Sequence, residues 1–89
     1  MTYNAIFSQN YSAMQEIDQF ISTEERKKAQ GVSTSLESTK ATSLLGALNL
    51  HKNNFLALQQ PLLANQCNFL MGRVQRLNMN PLYYSQLNL

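Results

Sequence analysis

Apolar side chains in the first third of the chain recur at Tyr3, Phe7, Met14, Ile17 and Ile21. With the polar Asn10 included, the steps are 4, 3, 4, 3 and 4. That spacing keeps one face of an α-helix apolar, whereas a strand would alternate with a period of two. Ile6 and Phe20 widen the stripe, and Glu16, Asp18 and Gln19 fall largely off it. The pattern predicts a helix over residues 3–29, with Arg26, Lys27 and Lys28 in its last turn, where cations suit the helix dipole, and Gly31 beyond its end. Ser22 followed by Glu25 has the form of a capping box, which leaves a break near residue 22 as an alternative.

Gly31 to Ser35 reads as a turn, too short to let two domains move apart. Thr34 followed by Glu37 has the spacing of a capping box and predicts the start of a second helix, over residues 36–60. Along it Ala41, Leu44, Leu48, His51, Phe55, Leu58 and Leu62 step by 3, 4, 3, 4, 3 and 4, as in a coiled-coil heptad. Beyond Pro61 the stripe resumes one residue out of phase as Leu63, Cys67, Leu70, Val74 and Leu77, a rotation of about 100°. Proline lacks the N–H of a continuing helix and clashes with the preceding turn. Two alternatives follow: one bent helix, or two helices meeting near Gln59-Gln60-Pro61, the second over residues 61–79. Asn80-Pro81 ends the helical region, and the apolar tail Leu82-Tyr83-Tyr84-Ser85-Gln86-Leu87-Asn88-Leu89 is expected to dock on something. The fold class is all-α, a helical hairpin or small three-helix bundle in a single domain over residues 1–89.

Composition narrows the function. Eighty-nine residues leave no room for a two-domain enzyme. Only 13% of the side chains are charged, while ten Asn and nine Gln make the polarity largely neutral amide. No apolar run approaches the roughly 20 residues of a membrane span, and the first residues lack the basic and apolar regions of a secretory signal. Cys67 is the only cysteine, so no internal disulfide can form; a reducing, cytoplasmic setting is expected, and the Asn10-Tyr11-Ser12 sequon carries no meaning there. All five acids lie in residues 1–39. The rest of the chain holds only the bases Lys40, Lys52, Arg73 and Arg76, and an antiparallel hairpin would bring the two halves together.

Chemistry-bearing residues are sparse. His51 and Cys67 are the sole His and Cys, sixteen residues apart, and both sit within apolar stripes; a packed imidazole and a small hydrophobic thiol are expected, with no catalytic residue and no metal site. Glu16, Asp18, Glu24 and Glu25 read as a solvated face. The three glycines form no phosphate loop, and no enzyme activity, cofactor or small-molecule substrate is expected.

The apolar stripes are the dominant signal. They exceed what a two-helix hairpin can cover, because Phe20, Leu50, Leu56, Phe69 and Met71 lie beside them. The expected function is therefore a non-enzymatic helical protein-protein interaction module, an adaptor, chaperone-like partner or assembly subunit that packs against a second chain, its own copy or another. Leu44, Leu48, Phe55, Leu58, Leu62, Leu70, Val74 and Leu77 are the expected partner-binding anchors. The alternative is a small dimeric nucleic-acid-binding regulator using Lys40, Lys52, Arg73 and Arg76. In size and format alone the chain resembles the helical-hairpin proteins that accompany bacterial secretion systems, such as co-chaperones of needle subunits, a likeness of architecture that no motif carries.

Overall fold

The structure, a computed structural model, describes residues 2–31 and 36–78. Three helices follow one another: α1 over Tyr3–Ala29, α2 over Ser38–Ala57 and α3 over Pro61–Asn78. The fold is an all-α three-helix bundle, with no strand among the described residues. The expected docking of residues 80–89, and most of the expected turn at 31–35, lie outside the described residues.

Local chemistry sets the helix ends. α1 begins at Thr2, whose Oγ1 accepts from the Ala5 N–H at 3.3 Å. It ends where the Gln30 N–H bonds the Arg26 carbonyl and Gly31 takes φ 79°, a left-handed conformation that glycine adopts without strain. No break occurs at Ser22; its Oγ donates along the helix to Asp18 Oδ1 at 3.4 Å. α2 does not start where the expected Thr34–Glu37 capping box placed it. Glu37 is itself the extended N-cap residue and its side chain makes no capping bond, so the helix begins at Ser38. The Thr34 half of that box is outside the described residues.

α2 stops at Ala57 without a glycine. The Gln60 N–H donates to the Phe55 carbonyl at 2.8 Å and the Gln59 N–H to the Leu56 carbonyl at 3.1 Å, the paired bonds of a Schellman motif. Gln59 holds the left-handed position at φ 58°. Gln60 then caps α3, its carbonyl accepting from Ala64 N–H, and Pro61 occupies the first helical position, where its missing N–H costs nothing. The shift in stripe phase is the start of a new helix.

Cross-helix contacts fix the arrangement. α1 runs antiparallel to α2, with Tyr3 opposite Leu58, Phe7 against Phe55 and Phe20 beneath Lys40. It runs parallel to α3, with Tyr3 by Gln60, Met14 by Cys67 and Glu25 by Arg73. The core contains Met14 and Ile21 from α1, Leu36, then Ala41, Leu44, Leu48 and Phe55 from α2, and Ala64, Cys67, Leu70, Val74 and Leu77 from α3. A stacked row of Tyr3, Phe7 and Tyr11 runs along α1, with Phe7 meeting Phe55 edge-on at 6.2 Å.

Candidate functional site

Two polar clusters and a set of exposed apolar side chains stand on this frame. The first is inside. Asn10, buried on α1, donates from Nδ2 to the Ile6 carbonyl at 2.8 Å, which turns its Oδ1 towards α2. There it accepts from Asn54 Nδ2 at 2.9 Å and from His51 Nδ1 at 2.7 Å. Since Oδ1 can only accept, the geometry puts the imidazole proton on Nδ1. Burial pushes the His51 pKa below its ordinary value. The imidazole is thus a satisfied structural group that reads a buried amide.

The second lies on the α1/α3 seam. Asp18, Ser22 and Glu25 stand on one face of α1 and converge on Arg73 of α3. Arg73 Nη2 lies 2.6 Å from Glu25 Oε1, its Nε 3.0 Å from Oε2, its Nη1 3.1 Å from Asp18 Oδ1, and Nη2 also reaches Ser22 Oγ at 3.2 Å. The Arg73 hydrogen bonds hold the Glu25 carboxyl below its usual range, and the same bonds raise Arg73. Asp18 and Glu25 therefore belong to an interhelical cluster and depart from the solvated face read from sequence; Glu24 pairs locally with Lys27. Beside the cluster Glu25, Lys28, Ala29, Arg73, Arg76 and Leu77 line an open cavity of about 340 Å³.

The third is apolar and exposed. Leu50 and Leu56 on α2 are 57% and 50% accessible, and Leu62 and Phe69 on α3 are 81% and 65% accessible. Of the eight anchors expected from the sequence, Leu44, Leu48, Phe55, Leu70, Val74 and Leu77 are buried in the core that this chain builds for itself, and Leu58 is half-buried at the C-cap of α2. Those seven side chains are not presented outward in this bundle, because a third helix supplies the cover that a hairpin lacks. Leu62 alone of the eight is fully open.

Of the four basic residues of the alternative reading, Arg73 and Arg76 share the rim of one cavity with Lys28. Lys40 Nζ sits 5.0 Å over the Phe20 ring, and Arg73 is answered by two carboxylates. Cys67 is wholly buried, its Sγ 3.7 Å from Met14 Sδ, and burial raises its pKa. His51 and Cys67 are each engaged with α1 and not with one another. Among the described residues no group of three His, Cys, Asp or Glu side chains could hold a metal, and no helix is long and apolar enough to cross a membrane.

Sequence reasoning named Leu62 as an anchor and Phe69 as surplus apolar surface but did not pair the two on one exposed face of α3. The signal was present as an i, i+7 pair on the side of α3 away from its core stripe, but the heptad through Leu58 absorbed Leu62. Comparison of the chain with models of protein families, with curated proteins and with solved structures returns no match.

Proposed function

We propose that this chain is a helical protein-protein interaction module that packs an exposed apolar helix face against a second chain. One observation carries the reading: among the described residues Leu50, Leu56, Leu62 and Phe69 stay at least half exposed, outside the buried core. Burying each Leu or Phe contributes about 1.5–3 kcal/mol, so covering them favours association on the scale of a small domain's whole stability. The adaptor, chaperone-like and assembly-subunit roles expected from the sequence are forms of this one activity. The interior is compatible with this reading, since among the described residues every fully buried side-chain N or O atom has a hydrogen-bond partner.

The test replaces Leu50, Leu56, Leu62 and Phe69 together with Ser. Association of the full chain, followed by light scattering and by co-purification from its host, is expected to disappear while far-ultraviolet circular dichroism stays helical. Association that survives the fourfold substitution, or a wild-type chain that is monomeric and brings nothing with it, overturns the reading. Substituting Phe55 with Asp would not serve, because Phe55 is wholly buried and its loss would unfold the bundle.

A further inference from the structure

We infer that the outer face of α3 is the docking seam, and that its occupant is an acidic amphipathic helix of a different protein; this rests on the interaction reading above and narrows it. Leu62, Asn65, Phe69, Gly72 and Arg76 step by 3, 4, 3 and 4 along α3. At 100° per residue they fall within about 80° of one another, on the side opposite the buried stripe Ala64, Cys67, Leu70, Val74 and Leu77. α3 therefore carries a heptad seam facing outward as well as one facing the core. Leu62 and Phe69 are the apolar knobs of that seam. Gly72, one turn on, leaves open space where a side chain would stand, with only Arg76 Nη1 at 3.9 Å from an added Cβ. A neighbouring helix can approach closely at that point.

Charge selects the partner. The far end of the seam is Arg76, which shares the rim of the 340 Å³ cavity with Lys28 and Arg73 against the single carboxylate of Glu25. Arg73 already holds Glu25 and Asp18, and Glu24 is on Lys27; Arg76 and Lys28 have no ion pair among the described residues. The sequence has five acids in all, leaving Glu16 and Glu37, and none after residue 37. A second copy of this chain therefore has little to offer Arg76 and Lys28. The complementary surface is a helix with apolar residues seven apart and Asp or Glu a further two turns on, so that its apolar pair meets Leu62 and Phe69 while its carboxylates reach the cationic end.

The test uses fluorescence anisotropy with labelled designed helical peptides of about five turns. Each carries Leu at i and i+7 and either Glu or Lys at i+14 and neighbouring positions, in both orders along the peptide. The full chain is expected to bind the Glu peptide saturably and more tightly than the Lys peptide. Phe69→Ser and Arg76→Glu should each weaken that binding by about tenfold or more, as for central anchors of an interface. Arg76→Glu should also reverse the preference between peptides, with circular dichroism unchanged in both variants. Equal binding of the two peptides, binding of neither, binding that neither substitution moves, or a homodimer that Phe69→Ser dissolves would each overturn the inference. If these peptide results are negative while association in the host still depends on Leu50 and Leu56, only the α3 assignment falls; if the fourfold variant also associates normally, the interaction reading falls with it.

Discussion

Asn10 Oδ1 on α1 accepts from His51 Nδ1 on α2 at 2.7 Å, across forty-one positions of sequence and inside an otherwise apolar interface. The pair sets the register of the two helices, because sliding α1 by one turn would leave the buried Asn10 Oδ1 without its partners His51 and Asn54. Asn10→Ala should cost about 1–3 kcal/mol in urea unfolding, the cost of stranding polar groups that remain. Replacing Asn10, His51 and Asn54 together with Leu should recover much of that loss while relaxing the register. No recovery in the triple variant would count against this account.

Acidification should weaken the bundle through His51. Its pKa is lowered in the folded chain, so the unfolded chain takes up the proton first as the pH falls. The stabilising contribution is complete above the ordinary value of 6.5 and is lost as the pH drops below it towards the folded value. Denaturation midpoints measured across this range should fall with pH in the wild type and fall less in His51→Gln. Identical slopes would place the proton elsewhere.

Arg73→Met should destabilise the bundle by about 1 kcal/mol, modestly because its partners are partly solvent-exposed. Arg73→Lys should restore only part of this, since an ammonium cannot bond Glu25, Asp18 and Ser22 in one fork. Glu25 gives the pH signature: its pKa is lowered, so its contribution is present above 4.5 and vanishes as the pH falls through the folded value. Arg73→Met should flatten the acid limb of the stability profile.

Gln59→Gly should raise stability by about 0.5–1 kcal/mol, because a left-handed φ of 58° strains an L-residue and not glycine. Gln59→Val should lower it by more than that amount. Thermal unfolding of the two variants measures both, and equal midpoints would show that the turn relaxes.

Cys67 should resist thiol reagents in the native state, labelling on the order of 10³-fold or more slower than in denaturant, since its sulfur is wholly buried against Met14 and reacts only when the bundle opens. Fast native labelling would contradict the packing.

Much of this fold is legible in the spacing of apolar residues. α1 follows its predicted limits, and α3 starts at its predicted Pro61 and is helical to the last described residue, Asn78. α2 is shorter at both ends for reasons that periodicity does not carry: the actual N-cap is Glu37, and the stop is a Schellman motif built on glutamines. Asn10 is readable as the polar member of an apolar stripe, but its partners depend on how α1 rotates against α2. The same holds for Arg73: charge segregation indicates that the halves attract, yet only packing selects Asp18 and Glu25 over Glu16 and Glu24. Six of the eight expected anchors lie in the chain's own core, since burial in a partner and burial in a third helix leave the same pattern in one sequence.

The glutamine turn at residues 58–60 also orders assembly in time. It closes the α2–α3 hairpin over three residues, whereas the side-chain hydrogen bonds that hold α1 to that hairpin span 41 to 57 positions. Chain-closure entropy is smallest for the short loop, so the hairpin forms early and α1 clamps down last, with Tyr3 latching onto the turn itself. In reverse, α1 is the first to let go, and its amides should exchange with deuterium ahead of those of its two companions.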